Sequence, residues 1–409
     1  MVTGFALTRG PPAGYISCAS QGALGSRLSG GQRPCSTVWG IGIAHTYVQG
    51  SCIPERWKEF VGELGRSMKG TFLPQLDLRK HARSSQMSDK WGAIPILGVI
   101  GTVRDAQKGN SLLALPAFSQ SAKDGKIEFA VVEDISSADF GPLLSGVDAV
   151  AHTASPFHFY GQEFSDYAGP AIEGTVKILK AAQGFARIKA VVVTSSFVSV
   201  VDHTVAPEQQ GGRVYSEADW LPITYEAAEA STDSALWYCA SKKLAEEAAW
   251  RIKNEGAPWT LATICPPMIF GPVIHTGSLE GLNESSRQLY ELFAGKTGGK
   301  VPATRFPCLS DVRDVAEAHY QAVSRTASGR FIVASGVYDN QRIVDTIRQR
   351  FPDYSKRPPV GNPGSHYRQN DVYALNSARA RKELGILIRE FEEIVVDTVQ
   401  SYIDMEARS

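Results

Sequence analysis

Ala190-Val191-Val192-Val193-Thr194-Ser195-Ser196 is an apolar, β-branched run that stops at two hydroxyls. Consecutive valines are stiff at χ1 and favour an extended backbone. Because the run is continuous rather than alternating, it predicts a strand covered on both faces, as a parallel sheet requires. Working outward, similar short runs recur at 96–103, 127–132, 147–152, 259–264 and 330–334. Helical periods lie between them at 171–183, 234–255, 312–325 and 340–351, and Gly184 and Gly256 follow two of these where C-terminal caps are expected. Buried strands alternating with amphipathic helices predict an α/β fold with a doubly wound parallel sheet of Rossmann type.

Composition sets the outer limits. Of 409 residues, 42 are Lys or Arg and 42 are Asp or Glu, so the net charge is zero, which argues against a nucleic-acid binder. At 43% hydrophobic and 21% charged, the chain is ordinary globular protein. The sequence contains no uninterrupted apolar run long enough for a spanning helix, so no membrane is expected. The 6 cysteines form no C-x-x-C pair, which predicts reduced thiols, no metal site and a cytoplasmic protein.

The average conceals an asymmetry. Residues 1–50 hold no Asp or Glu, and residues 1–90 carry 11 basic side chains against 5 acidic ones. This stretch is rich in Gly, Pro and Ser and reads as irregular, with one amphipathic helix expected at 54–66. Its Arg- and Ser-rich, acid-free start also has some of the character of a transit peptide. Leu28-Ser-Gly-Gly-Gln32 mimics an ATP-binding-cassette signature, but Tyr290 stands where a phosphate loop ending at Gly295-Lys-Thr297 needs its first glycine. That excludes the ATPase reading.

Chemistry concentrates in Tyr238-Cys-Ala-Ser-Lys242. At i and i+4, Tyr238 and Lys242 share a helix face. A phenol has a pKa of about 10, and a neighbouring ammonium is expected to lower it toward the range of a general acid. Ser196 ends a strand at the carboxyl edge of the sheet, where ligands of such folds bind.

Ser196, Tyr238 and Lys242 in this order resemble the extended short-chain dehydrogenase/reductase family. The closer resemblance is to its ketone and aldehyde reductases of the dihydroflavonol, cinnamoyl-CoA and methylglyoxal reductase type. Gly101-Thr-Val-Arg-Asp105, Asp134-Ile135, His152-Thr-Ala-Ser-Pro-Phe157, Pro266-Pro-Met-Ile-Phe-Gly-Pro272 and Asp311-Val-Arg-Asp-Val-Ala-Glu-Ala-His319 are similar to further motifs of that group. The likeness extends from Ile96 to Tyr402. It implies that Tyr238 protonates an alkoxide, Lys242 holds the nicotinamide ribose, and Ser196, rather than Ser195, polarises a carbonyl. Asp134 and Ile135 would flank the adenine, Thr153 and Ala154 would line the cofactor cleft, and Pro266 and Met268 would lie beside the nicotinamide. Phe157, Phe197 and Phe270 would either wall the substrate or pack the core. Arg104 and Lys108, cations after the second strand, suit the 2′-phosphate of NADP, with Asp105 directed elsewhere.

The resemblance implies an NADPH-dependent reductase acting on a small carbonyl compound, as a monomer or homodimer. The domain expectation is an irregular segment over 1–92, an NADP-binding core over 93–272 and a smaller, mainly substrate-binding lobe over 273–409, with core elements returning near 309–335. Residues 277–300 and 200–215 would shape the pocket. One feature departs from the family. Its glycine turn should follow the first strand without a break, yet here Thr3-Gly4 and Ala13-Gly14-Tyr15-Ile16-Ser17 are separated by an interruption whose removal, residues 6–12, would restore the spacing. Much of 18–91 reads as translated intron or misjoined gene sequence, with a lineage-specific insertion as the rival. The split turn leaves open a catalytically silent nucleotide-binding or scaffold protein, and within the enzyme class a sugar-nucleotide epimerase or dehydratase is the rival, against which Arg104 speaks.

Overall fold

The computed structural model describes residues 2–8, 98–154, 161–368 and 370–408, with the backbone alone for 2–8. The expected helix at 54–66, the Ala13–Ser17 half of the glycine turn, and Phe157 lie outside the described residues. In chain order the strands begin with β1 (Val2–Thr8), β2 (Gly98–Val103), β3 (Ile127–Val131) and β4 (Ala149–His152). Next come β5 (Ala190–Thr194), β6 (Val214–Tyr215), β7 (Thr260–Cys265) and β8 (Met268–Phe270). The last are β9 (Cys308–Asp311), β10 (Gly329–Ile332), β11 (Gly336–Val337) and β12 (Ala374–Leu375). The main helices are α1 (Ala106–Ala114), α2 (Pro116–Lys123), α3 (Ser165–Gln183), α4 (Ser234–Asn254), α5 (Glu284–Phe293), α6 (Val312–Ser324), α7 (Asn340–Arg350) and α8 (Phe391–Glu406).

The main sheet runs β3-β2-β1-β4-β5-β7-β10. Its parallel pairs are β2 with β3, β4 with β5, β5 with β7 and β7 with β10. This is the α/β Rossmann-type order. Side chains alternate across the sheet with the period of two that a strand imposes. Val191, Val193 and Leu261 face the layer that contains Ile178, Leu179 and Ala249 of α3 and α4. Ala190, Val192, Ala262 and Ile264 face Val315, Ala316 and Ala318 of α6. The alanines on the second face allow α6 to sit close to the sheet.

β1 departs from the expectation of a parallel sheet. It lies between β2 and β4 but runs antiparallel to both, with Val2 opposite Val103, Thr8 opposite Gly98, and Leu7 opposite Ala149. Thr3 and Gly4 therefore lie within a strand and not in a turn. The chain leaves β1 at Thr8 and returns at Gly98, both at the amino edge of the parallel strands. A glycine turn leading straight out of β1 would need the opposite edge.

Helix boundaries differ in smaller ways. α3 begins at Ser165, earlier than the pattern predicts, and tolerates Pro170 near its start. Gly256 takes a left-handed φ of 104°, as a helix stop requires, whereas Gly184 stays right-handed at −71°.

Most of the remaining described residues build a smaller lobe. β8, β9 and β11 form a second sheet, and α5, α7 and α8 pack Leu289, Phe293, Ile343, Val344, Ile394 and Tyr402 into its core. Arg313 at the start of α6 ties the lobes together through Asp311 at 2.8 Å and Asp397 of α8 at 2.7 Å. No helix among the described residues is long and apolar enough to cross a membrane.

Trp259, fully buried beneath α3 and α4, anchors the larger core, and its indole N–H has no partner among the described residues. Trp259→Ala is expected to destabilise the fold by about 3–5 kcal/mol. Trp259→Phe, which keeps an aromatic ring in the site and also removes an unpaired donor, should cost clearly less. Urea unfolding of the two variants checks the contrast.

Candidate active site

β5 delivers Ser195 and Ser196 to the carboxyl edge of the sheet, and the two hydroxyls then diverge. Ser195 donates to the carboxylate of Glu246 at 2.6 Å. Ser196 caps the short 3₁₀ turn Phe197–Ser199, accepting from the Val198 N–H at 3.3 Å, and also hydrogen-bonds the Tyr238 phenol. Ser195 is thus tied to a buried carboxylate, while Ser196 meets the tyrosine.

Asp233 caps the start of α4 by accepting from the Ala235 N–H at 2.9 Å. Tyr238 and Lys242 follow along one face of the helix. Lys242 is buried and donates to the Thr194 carbonyl at 2.9 Å. Burial lowers the Lys242 ammonium to about 8, opposed by the negative charge of Glu246. Burial also raises the Tyr238 phenol well above its ordinary range, with the Ser196 hydrogen bond as a smaller opposing influence. This corrects the expectation that the ammonium brings the phenol down. In this structure desolvation dominates, and Tyr238 holds its proton throughout the neutral range.

Thr194 is fixed from a second side. His319 of α6 directs Nδ1 at the Val315 carbonyl, 2.8 Å away, and Nε2 at the Thr194 hydroxyl, 2.7 Å away. A carbonyl can only accept, so Nδ1 carries the proton and Thr194 donates to Nε2. Burial depresses His319 to about 4, which keeps it neutral.

The expected cofactor residues are distributed along the same edge. Arg104 is exposed at the end of β2. Asp105 caps α1 by accepting from the Lys108 N–H at 2.7 Å, so its carboxylate is turned into the helix start. Asp134 accepts from the Ser136 and Ser137 hydroxyls, each at 2.8 Å, and feels the charge of Arg104. The Ile135 side chain packs against α3 at Gly174, where a Cβ would come within 2.5 Å of it. Thr153 and Ala154 are buried just past β4, and the Thr153 hydroxyl has no partner among the described residues. A buried, unsatisfied hydroxyl is costly unless a ligand completes it. That orphan, together with the diversion of Asp105 from the end of β2, fits a nucleotide with a 2′-phosphate. The Pro266 carbonyl accepts from the Phe197 N–H at 3.1 Å, coupling its loop to the serine turn.

Met268 and Phe270 line a cavity of about 260 Å³ between β8, α5 and residues 302–306. Phe306 lines it too and meets Phe197 edge-on at 5.4 Å. Phe197 itself is core, packed beside Val198, Val200 and Trp237. No cluster of possible metal ligands occurs among the described residues.

Sequence reasoning missed Glu246, Arg330 and His319. The Glu246 signal was present, because Tyr238, Lys242 and Glu246 recur at i, i+4 and i+8. Arg330 lies 84 residues from its partner and gave no local sign.

The NAD-binding family model described as "Male sterility protein" matches residues 134–308. An uncharacterized oxidoreductase of Schizosaccharomyces pombe is 37% identical over 74% of this chain and 88% of its own length. A ketoreductase of Aspergillus niger is 34% identical over 75% and 90%, and the NADPH-dependent methylglyoxal reductase of Saccharomyces cerevisiae 32% over 76% and 92%. The crystal structure of the yeast methylglyoxal/isovaleraldehyde reductase complexed with NADPH superposes with a TM-score of 0.67 at 29% identity, covering 76% of this chain and 92% of that one. The chain belongs to the extended short-chain dehydrogenase/reductase family, among its ketone and aldehyde reductases.

Proposed function

We propose that the protein is an NADPH-dependent reductase that converts a ketone or aldehyde to the corresponding alcohol. The observation that carries this reading is the Ser196–Tyr238 hydrogen bond, with Lys242 one turn along the same helix, at the carboxyl edge of the sheet. Arg104 and Lys108 would hold the 2′-phosphate. Asp134 and Ile135 would flank the adenine, and Thr153, Ala154, Pro266 and Met268 would line the cleft. NADPH bound there supplies the hydride. Tyr238 keeps a proton on its phenol oxygen for the developing alkoxide, and Ser196 donates a hydrogen bond to the carbonyl oxygen. Lys242, charged below about pH 8, stabilises negative charge as it forms and holds the ribose hydroxyls. The apolar wall of Met268, Phe270 and Phe306 suits the carbon skeleton of a small carbonyl compound.

NADPH oxidation measured against a panel of aldehydes and ketones tests the proposal. Tyr238→Phe should abolish turnover while the circular dichroism spectrum stays that of the wild type. Undiminished turnover in that variant refutes the mechanism, and failure of the wild type to bind NADPH saturably refutes the reductase reading.

The pH dependence has a definite sign. Lys242 is protonated below about 8 and neutral above it, so reduction should fall as pH rises through about 8. A rate that instead climbs across that interval contradicts the role given to Lys242.

Cofactor preference provides a third check. Arg104→Glu should weaken NADPH binding roughly 10- to 100-fold through loss of a charge-assisted contact, and leave NADH binding little changed. Fluorescence titration with both nucleotides reads the difference.

A further inference from the structure

Glu246 is a fully buried carboxylate, one turn beyond Lys242 on α4. Its oxygens gather five neighbouring groups from four parts of the chain. Ser195 donates at 2.6 Å and Ser199 at 2.5 Å to Oε2, Thr263 of β7 donates at 2.6 Å to Oε1, and Arg330 of β10 reaches both oxygens, at 2.8 and 3.2 Å. Trp250 adds an indole N–H at 3.5 Å. Arg330 is fixed in turn by donating to the Glu217 carbonyl at 3.0 Å and the Asp219 carbonyl at 2.5 Å, and by stacking over Trp220 at 3.6 Å.

Ser195 and Ser199 bracket Ser196. With both hydroxyls bound to one carboxylate, the 3₁₀ turn that carries Ser196 has little freedom to rotate its hydroxyl away from Tyr238. We propose that Glu246, clamped by Arg330, is a positioning residue for the reduction: it fixes the Ser195–Ser199 turn so that Ser196 faces Tyr238. This inference rests on the reductase reading above.

The groups facing Lys242 and Glu246 can be followed element by element. Tyr238 lies on α4 itself. Cys265 of β7 lies beside Glu246, its thiol raised to about 12 by burial and so neutral. Arg330 of β10 is bonded to Glu246. His319 of α6 is neutral and touches Thr194, whose carbonyl takes the Lys242 ammonium. Glu246 is the one anion among these groups, and it favours the charged form of Lys242.

The test compares wild type, Glu246→Gln, and the double variant Glu246→Gln with Arg330→Met. In the single variant kcat should fall about 10- to 100-fold, the effect of a modest misplacement of reacting groups. The loss of activity on the alkaline side should also move to lower pH, because the anion that favours protonated Lys242 has gone. The single variant strands a buried cation and is expected to melt early. The double variant carries no net buried charge at this position and should recover much of the melting temperature, yet keep the low kcat and the displaced pH limb. If the double variant regains wild-type kcat and pH profile along with its stability, Glu246 is only structural and the inference is overturned. If the single variant is stable with an unchanged kcat and profile, the inference is equally overturned. Absence of carbonyl reduction by the wild type would instead overturn the reductase reading, which keeps the two failures distinct.

Discussion

The Glu246–Arg330 pair is the constraint on which the proposed catalytic edge depends. Two ions with almost no exposure are costly to bury, and attraction alone seldom offsets that cost. Here every oxygen and most donors are satisfied by separate parts of the chain: the turn after β5, Thr263 of β7, and the loop around Glu217 and Asp219. Such a network is geometrically demanding, because loss of one member leaves the others buried and unpaired. The consequence is rigidity where the proposed chemistry needs it. β5 is held by Glu246 through Ser195, by Lys242 through the Thr194 carbonyl, and by His319 through the Thr194 hydroxyl.

The first strand imposes a different constraint. A parallel β1 would bring the chain out at the edge where Ser196, Thr153 and Arg104 gather. The antiparallel β1 still fills the place between β2 and β4 and hydrogen-bonds both, so the sheet stays continuous. Its direction, however, carries the chain out at the far edge. Among the described residues, groups following β2, β4, β5 and β7 therefore build the proposed nucleotide cleft. The orphaned Thr153 hydroxyl and the outward Arg104 are what that cleft offers a dinucleotide.

Much of this was legible before the structure. Three consecutive valines ending in Ser195-Ser196 place a buried strand and its hydroxyls without tertiary information. The i, i+4 spacing of Tyr238 and Lys242 puts both on one helix face. What was not legible depends on distant contacts. Strand direction is not written in a local pattern, since the seven residues of β1 read the same whichever way they are inserted. The pKa of Tyr238 was misjudged for a related reason. Helix spacing suggests that Lys242 lies near, but the depth of burial follows from what packs around both, and burial prevails.

Burial moves the two groups in opposite directions on the pH scale for one reason: both neutral forms are favoured away from water. In the proposed reduction this is useful for Tyr238 as it stands, because a proton donor must keep its proton. For Lys242 it is not, because the ammonium must survive near neutral pH to counter developing negative charge. A single anion can correct the second without disturbing the first if it lies closer to the lysine. At about 1.5 Å of rise per residue, Glu246 is about 6 Å along the helix axis from Lys242 and about 12 Å from Tyr238. Charge interactions weaken with distance, and the Glu246 charge is felt at Lys242 but is not among the main influences on Tyr238. One helix, with three side chains a turn apart, thereby separates the donor from the cation while keeping both within a water-poor edge.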